Sequence, residues 1–217
     1  MLAEDIIIRT YTPEDRVSVR RTCYEHNYLR THVGSIWRDA QSFMDTFTLY
    51  YTDHEPESIR LAEYKGEVAG YLLGCLDSTK AFLPGEVMRG HVAKRGLFLR
   101  PSAARFVWRS LWDMLRWGKN AEAHFSDERW PSHMHITLHP HIYRKGAGKR
   151  LVENWLETLR AQGSPGIHLW TFEENTRAIA FFEAMGFQKH LEPIRSPGFR
   201  TNEGQWMHTR LMVQSLS

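Results

Sequence analysis

The residues with the plainest chemical potential form a basic, glycine-containing turn between a strand-like and a helix-like segment. It consists of Arg144, Lys145, Gly146, Ala147, Gly148 and Lys149. Glycines let the backbone approach a ligand closely, and the first N–H groups of the following helix have no partner within it. Because the helix dipole favours negative charge there, such a turn is typical of a phosphate or pyrophosphate site. It matches neither the Walker motif nor the dinucleotide fingerprint, because Arg150 and Leu151 stand where those motifs need Ser or Thr and Gly.

Histidines are the second chemical feature, since the chain has 12 of them and several fall close together. Histidine titrates near neutral pH and ligates metals, which suits either an acid–base or a metal role. The pairs His133-x-His135 and His139-x-His141 have suggestive spacing, but no Cys or carboxylate cluster completes a tetrahedral set, so we expect no metal. His168 lies in a buried-type strand and is expected to be a hydrogen-bonded core residue.

The first half of the chain reads as a strand, helices and a hairpin. A strand at residues 6–9 precedes a helix that begins at Pro13, and one or two helices are expected within residues 32–55. Residues 58–64 and 68–76 alternate like strands on either side of turn chemistry, which predicts a β-hairpin.

The second half contains the elements that must position the glycine turn. A strand at residues 133–138 leads into the turn, and the amphipathic helix after it stops at Gly163. A strand at residues 167–171 follows, then a helix capped by Asn175 and a last strand at residues 205–213.

Residues 84–131 read as a helical insertion rich in Trp and Arg. Helical spacing is shown by Phe106, Trp108, Leu111, Trp112 and Leu115. Two placements are compatible with this pattern: a helix lying on a membrane surface, or a core or lid helix whose Trp residues pack inward. We expect the second.

Two motifs in register point to a known family. Residues 138–151 and the stretch Asn175-x-x-Ala178-x-x-Phe181-Phe182-Glu183-x-x-Gly186-Phe187 occur in order, with a strand between them. Together they resemble the GNAT superfamily of acetyl-CoA-dependent N-acetyltransferases, whereas Gly-x-Gly alone also fits an ordinary turn. The resemblance implies an α/β (α+β) fold with a mixed, mostly antiparallel sheet of about seven strands. It also implies a V-shaped splay between two central parallel strands, and helices on both faces.

Four segments resemble one branch of that superfamily more closely. They are residues 70–74, 131–136, 160–169 and 207–213. The branch comprises stand-alone microbial relatives of the acetyltransferase-like domain appended to O-GlcNAcases. Relatives there often carry an acidic residue where Thr137 lies.

The resemblance implies acetyl-CoA as cosubstrate and suggests which residues hold it. Pantetheine would pair with the main chain at Leu138, His139 and Pro140. The pyrophosphate would bind the amides of the turn from Arg144 to Lys149. The lower part of the cofactor would contact Asn175, Ala178, Phe181 and Phe182.

Two positions depart from the family pattern. Tyr143 replaces the Gln or Arg that usually opens the turn, which removes one side-chain contact. Phe182 replaces the Tyr that often protonates the departing thiolate. Since Phe cannot donate a proton, this acid is absent or supplied by another group.

The family chemistry suggests two catalytic candidates. Acetyl transfer to an amine needs an exit for the amine proton, usually a base with a pKa near the working pH. We predict His135 as that base, because His133, His135 and His139 share one strand face if the alternation is unbroken. The alternative is that His135 bonds backbone or packs near the sheet edge. Asp77 would bind a cationic amine or, equally, bond its own loop.

Composition sets the remaining expectations. The chain has 217 residues, of which 42% are hydrophobic, which excludes wholesale disorder and suits one domain over residues 1–217. A net charge of +3 is small for a nucleic-acid-binding surface. Cys23 and Cys75 are predicted to be buried thiols of a cytoplasmic protein, and no apolar run is long enough for a membrane span. We therefore expect neither nucleic acid nor membrane as a partner, and a monomer or homodimer.

The leading functional hypothesis is direct acetyl transfer from acetyl-CoA to the primary amine of a small molecule, such as an amino sugar or amino acid. Two alternatives stay open. One is a GNAT-fold CoA-binding module with weak or no catalysis, which Phe182 favours. The other is a protein acetyltransferase, whose acceptor groove should be open and acidic.

Overall fold

A twisted seven-stranded sheet forms the centre of the protein. The structure is a computed structural model that describes residues 6–29, 37–81, 84–117 and 125–216. The strands are β1 (Ile6–Thr10), β2 (Ile59–Tyr64), β3 (Glu67–Cys75), β4 (Ser132–Leu138), β5 (Gly166–Phe172), β6 (Gln188–Arg200) and β7 (Trp206–Ser215). They lie in the order β1-β2-β3-β4-β5-β7-β6, and β4 with β5 is the parallel pair in an otherwise antiparallel sheet. The predicted sheet is confirmed.

Helices cover both faces of the sheet, as predicted. They are α1 (Arg16–His26), α2 (Ala40–His54), α3 (Pro84–Arg95), α4 (Ala104–Trp117), α5 (Ala147–Ala161) and α6 (Thr176–Ala184). On one face α5 and α6 pack on a core that includes Leu72, Met134 and Leu169. On the other, α1, α2 and α4 pack on a core that includes Leu73 and Met207. Residues 32–36 and 118–124, within segments predicted to be helical, lie outside the described residues.

Local signals in the sequence end and join these elements as expected. The hairpin between β2 and β3 turns at Lys65 and Gly66, whose φ angles are 55° and 81°. The Asn175 side chain accepts a hydrogen bond from the Ala178 N–H at 3.3 Å and caps α6. Gly163, with φ at 71°, follows α5. The two cysteines, Cys23 and Cys75, are buried and free, as predicted for their side chains.

The orientation of α4 overturns the expectation that its Trp residues pack inward. Phe106, Val107 and Asp113 face the sheet, whereas Trp108, Leu111, Trp112 and Leu115 are 57%, 43%, 64% and 83% exposed. Polar ties fix this orientation. Asp113 accepts hydrogen bonds from the Gly198 N–H and from the Arg200 guanidinium, each at 2.8 Å, and the Arg109 Nε donates to the Gly198 carbonyl at 2.8 Å.

Within the described ranges, no helix combines the length and the apolar character needed to cross a bilayer.

Candidate active site

A gap opens between the central parallel strands. The pairing of β4 with β5 is limited to Ser132 with Ile167 and His133 with His168, and the strands separate beyond these residues. This is the predicted splay. The His139 N–H donates to the Ala69 carbonyl of β3 at 2.8 Å. Because successive main-chain groups of a strand point to opposite neighbours, those of Ile136 and Leu138 point into the gap.

The glycine turn lies directly after β4 and opens α5. Gly146 is the N-cap, with φ at 84°, and a Cβ there would meet nothing within 4 Å. The Arg150 N–H donates to the Gly146 carbonyl at 3.0 Å, and the amides of Ala147, Gly148 and Lys149 precede it, where a helix offers them no acceptor. The turn therefore presents unpaired donors at the positive end of α5.

Gly148 lets the turn, β4 and α6 pack together. A Cβ at this position would lie 3.2 Å from Leu138 Cδ1 and 3.3 Å from Phe181 Cζ, which is tighter than ordinary contact. The close approach explains the second glycine of the turn. A gap between strands that ends at a helix N-terminus fits an extended thiol arm carrying a pyrophosphate, so the residues present fit acetyl-CoA.

The basic residues of the turn have different neighbours. Arg144 and Lys149 are exposed, and the Lys149 Nζ lies 3.6 Å from the Glu153 Oε1. The Lys145 Nζ lies 4.6 Å from the centroid of the Tyr64 ring. Arg150 donates to the Ile6 carbonyl at 2.5 Å and ties β1 to α5. Its guanidinium is therefore engaged in a structural contact.

The end of β4 corrects the expected main-chain contacts in part. The N–H of His139 is bound to β3, and Pro140 has no N–H, while its carbonyl accepts from the Tyr143 N–H at 3.1 Å. The His139 side chain lies 3.0 Å from the Thr22 hydroxyl, with its ring centroid 4.0 Å from that of His26. Of the three positions predicted to pair with pantetheine, only Leu138 directs its main-chain groups into the gap. Sequence reasoning missed Ile136, although strand alternation signals it.

The two phenylalanines of α6 have separate roles. Phe181 is half-buried beside Gly148, whereas Phe182 is buried and packs on Phe187 with ring centroids 5.7 Å apart. The Phe182 position is thus part of the core. Sequence reasoning also missed Arg177, whose guanidinium lies 4.0 Å from the centroid of the Tyr143 ring and joins α6 to the turn.

The histidines of β4 lie on the sheet face that α1 and α2 cover. The His135 ring centroid lies 6.0 Å from that of Phe47 and 5.9 Å from that of Tyr71. Burial lowers the pKa of His135 to about 4, so its ring is neutral near pH 7. Among the residues that the structure describes, neither its Nδ1 nor that of His133 has a hydrogen-bond partner. The pKa of His133 is also well below the usual value, because of burial and the neighbouring His168 and His135. His135 thus offers an unprotonated ring on the predicted face.

Two other predicted residues serve the structure around them. The Asp77 Oδ1 accepts from the Thr79 N–H at 3.1 Å and the Thr79 hydroxyl at 2.6 Å, and Lys80 lies 3.2 Å away. These contacts, with the Thr79 hydroxyl first, lower the pKa of Asp77 and favour its interpretation as a loop residue. The His168 Nδ1 lies 2.7 Å from the Trp130 carbonyl, which confirms His168 as a hydrogen-bonded core residue. Over the described part of the chain, no group of three or more His, Cys, Asp or Glu could hold a metal ion.

Comparisons with known proteins agree with this geometry. The model of the acetyltransferase (GNAT) family matches residues 20–187. The crystal structure of SsHAT is 21% identical with a TM-score of 0.61, and the match covers 98% of this chain and 99% of that one. The structure of yncA from Salmonella typhimurium with its cofactor acetyl-CoA is 16% identical, with a TM-score of 0.58 and coverage of 98% and 94%. The polyamine N-acetyltransferase of Drosophila melanogaster is 13% identical, with a TM-score of 0.61 and coverage of 97% and 100%.

A sheet splayed at its central parallel pair, with a helix N-terminus at the open end, and a family match over most of the chain together define the class. The chain belongs to the GNAT family of acetyltransferases. It is an N-acetyltransferase, and acetyl-CoA is its cosubstrate. The resemblance drawn from the sequence is confirmed at this level.

Proposed function

We propose that the protein transfers an acetyl group directly from acetyl-CoA to the primary amine of a small molecule. The observation that carries this choice is a packed aromatic cluster on the sheet face opposite α5, which reaches the open end of β5. A small amine needs only the edge of such a cluster, whereas the flexible tail of a protein substrate needs an open groove.

This aromatic cluster runs from α4 to the open end of β5. Trp37 stacks on Phe106 of α4 with ring centroids 5.0 Å apart, and Phe106 contacts Phe199 of β6 at 4.9 Å. Phe199 then contacts Phe172 at 5.9 Å, and Phe172 stacks on Tyr28 at 5.8 Å. The inner face of α4 is therefore continuous, through aromatic rings, with the end of β5 that borders the gap.

Two buried carboxylates at the start of α2, which already have basic partners, support a small acceptor over a basic peptide. Asp45 binds Arg20 at 2.5 Å and His91 at 3.0 Å, and Asp39 binds Arg95 at 3.0 Å. A peptide rich in Lys or Arg would have to displace these partners to gain a carboxylate. Asp39 and Asp45 therefore do not supply the acidic groove expected of a protein acetyltransferase.

Within this proposal the chain has three tasks. The main-chain groups of Ile136 and Leu138 align the thiol arm, and the amides at the start of α5 hold the pyrophosphate. When bound, acetyl-CoA supplies the acetyl thioester that the amine attacks. The neutral ring of His135 accepts the amine proton, directly or through a water, while the new N–C bond replaces the C–S bond. Phe182 cannot protonate the thiolate, so the proton reaches it from solvent or from the protonated base.

An acceptor panel tests the function. Acetyl-CoA is incubated with the protein and with amino sugars, amino acids, polyamines or basic peptides, and release of the free thiol is followed. We expect release that depends on a small amine. Release with peptides alone would identify a protein acetyltransferase, and acetyl-CoA binding without acceptor-dependent release would leave a binding module.

The role of His135 is tested by His135→Ala, with His190→Ala as the matched histidine control. Removal of a general base lowers kcat/KM by about a hundredfold or more, and we expect this for the first variant alone. Because burial lowers the pKa of His135 to about 4, the ring stays deprotonated as the pH falls through 6.5. The wild-type pH profile of kcat/KM should therefore have no break from this group near pH 6.5. Equal losses in the two variants would remove His135 from the role.

Two finer assignments accompany the function. We propose a cytoplasmic location, which the buried free thiols of Cys23 and Cys75 support, because such thiols suit a reducing compartment. The branch related to the acetyltransferase-like domain of O-GlcNAcases is supported by the sequence segments quoted above and is proposed on that ground.

A further inference from the structure

The outer face of α4 carries an apolar stripe that is exposed to solvent and is not packed in either core of the sheet. Trp108, Leu111, Trp112 and Leu115 recur at helical spacing, so they lie along one side of the helix, which we call the α4 stripe. Their exposures, given above, range from 43% to 83%. Leu99, which is 76% exposed, lies in the segment just before α4. A hydrogen bond of 3.1 Å from the Trp108 Nε1 to the Phe98 carbonyl holds this segment against α4.

Positive charge accompanies the stripe. Arg105 and Arg116 are exposed on α4, and the acidic residue of this helix, Asp113, is buried against Arg200 at 2.8 Å. At the end of α4, the Trp117 ring lies 5.4 Å from the Arg116 guanidinium and 5.1 Å from that of Arg195. The outward surface of α4 therefore combines exposed apolar side chains with arginines and has no carboxylate of its own.

We propose that the α4 stripe docks onto the surface of an anionic lipid bilayer, with α4 lying in the plane of the headgroups. Helices that lie in the headgroup region of a bilayer have an apolar face with Trp and Leu and basic residues on the polar side. Trp suits the interface because its ring is apolar while its N–H is polar. The expectation that α4 does not lie on a membrane surface depended on inward packing of its Trp residues, and that packing is not found.

Charge favours a bilayer over a second copy of this chain. In a two-fold pair each α4 would meet the same surface of the other, which would bring Arg105 and Arg116 of both copies together. Since α4 exposes no carboxylate, these charges would repel without a partner. Lipid phosphates supply the missing negative charge along the whole helix.

Vesicle binding by the full chain tests the proposal. Large vesicles of phosphatidylcholine, with or without phosphatidylglycerol, are sedimented with the protein, and Trp fluorescence is recorded in parallel. We expect partitioning onto the anionic vesicles, with a blue shift in emission. Binding should weaken in about 1 M salt, where the screening length falls to about 3 Å.

Variants on the stripe give the expected magnitudes. Leu115→Ala should lower the partition constant by about tenfold or more, because it removes buried methyl groups from the membrane contact. Arg105→Gln and Arg116→Gln should each lower it by about fivefold. The matched controls are Leu191→Ala on β6, where Leu191 is 59% exposed, and Arg129→Gln, and neither should change binding. Acetyl-CoA affinity and thermal unfolding in solution should match the wild type in all of these variants, since the stripe is solvent-exposed and outside the gap.

Three results would overturn the proposal. Equal binding to neutral and anionic vesicles would remove the role of charge, and equal losses in the Leu115 and Leu191 variants would remove the role of the stripe. A concentration-dependent dimer that Leu115→Ala dissociates, with no vesicle binding, would make a second copy the occupant. None of these results bears on acetyl transfer, which the acceptor panel tests separately.

Discussion

Two helices with the same periodicity, α5 and α4, place their apolar stripes in opposite directions. The stripe of α5 is buried on the sheet and consists of Leu151, Val152, Trp155, Leu156 and Leu159. That of α4 faces solvent, and the helix is held by Asp113 and Arg109 on its inner side. A repeat of 3.6 residues predicts a helix and gathers apolar side chains on one side. It does not determine what that side meets.

The reason lies in the surfaces beneath the two helices. The Trp155 ring fills a recess left by Gly74, where a Cβ would lie 2.5 Å from Trp155 Cζ2. The sheet under α5 is thus shaped for a large apolar side chain. Under α4 the strand β6 presents the polar main chain at Gly198 and the Arg200 guanidinium, which a carboxylate satisfies and a Trp ring does not.

The largest expected effect separates the two stripes by stability. Trp155→Ala should lower the free energy of unfolding by about 3–5 kcal/mol, because it leaves a cavity in the core. Trp112→Ala, the matched change on α4, should alter it by no more than about 0.5 kcal/mol. Urea unfolding followed by circular dichroism measures both. Comparable losses would mean that the α4 stripe is covered in the folded chain, and the contrast between the helices would fail.

The second prediction concerns the polar side of α4. Asp113→Asn keeps the shape of the side chain but removes the charge that faces Arg200, so about 2 kcal/mol of unfolding free energy should be lost. Asp127→Asn is the control, because Asp127 pairs with Arg129 at the surface and such pairs contribute little. If the two variants were equally stable, α4 would be held by something other than its inner polar ties.

The same contrast explains how far sequence reasoning reached. The succession of strands and helices and the cap at Asn175 follow from local patterns, because each is encoded by neighbours in the chain. The splay was expected only from the resemblance to the family, and the order of the strands in the sheet was not predicted. The outward turn of Trp112 depends on Gly198 and Arg200, which are distant in sequence. The engagement of the His139 N–H by Ala69 depends in the same way on the register of β3 with β4. Side-chain environments of this kind are set by tertiary contacts that no local pattern records.

The pKa of His135 is a further case. As a residue type, histidine is expected to titrate near neutrality, and that expectation led to its selection as a base. Burial between Phe47 and Tyr71 lowers the pKa to about 4, so the site holds a neutral ring that is a weaker base than the sequence suggests. In the proposed mechanism, such a ring would take its proton from a nitrogen made more acidic by its new bond to the acetyl carbon.

The smallest effect compares the two ends of α5. Gly146 and Gly163 flank this helix with φ angles of 84° and 71°, and a Cβ at either position meets nothing within 4 Å. Gly146→Asp and Gly163→Asp should therefore incur the same backbone penalty, about 1–2 kcal/mol of unfolding free energy, without steric crowding. Only the first places a carboxylate where the helix amides would hold the pyrophosphate. We expect about a tenfold loss of acetyl-CoA affinity by calorimetry for Gly146→Asp, a smaller loss in high salt, and no change for Gly163→Asp. Equal affinities in the two variants would place the pyrophosphate away from the start of α5, because backbone strain alone is shared by both while the charge is not.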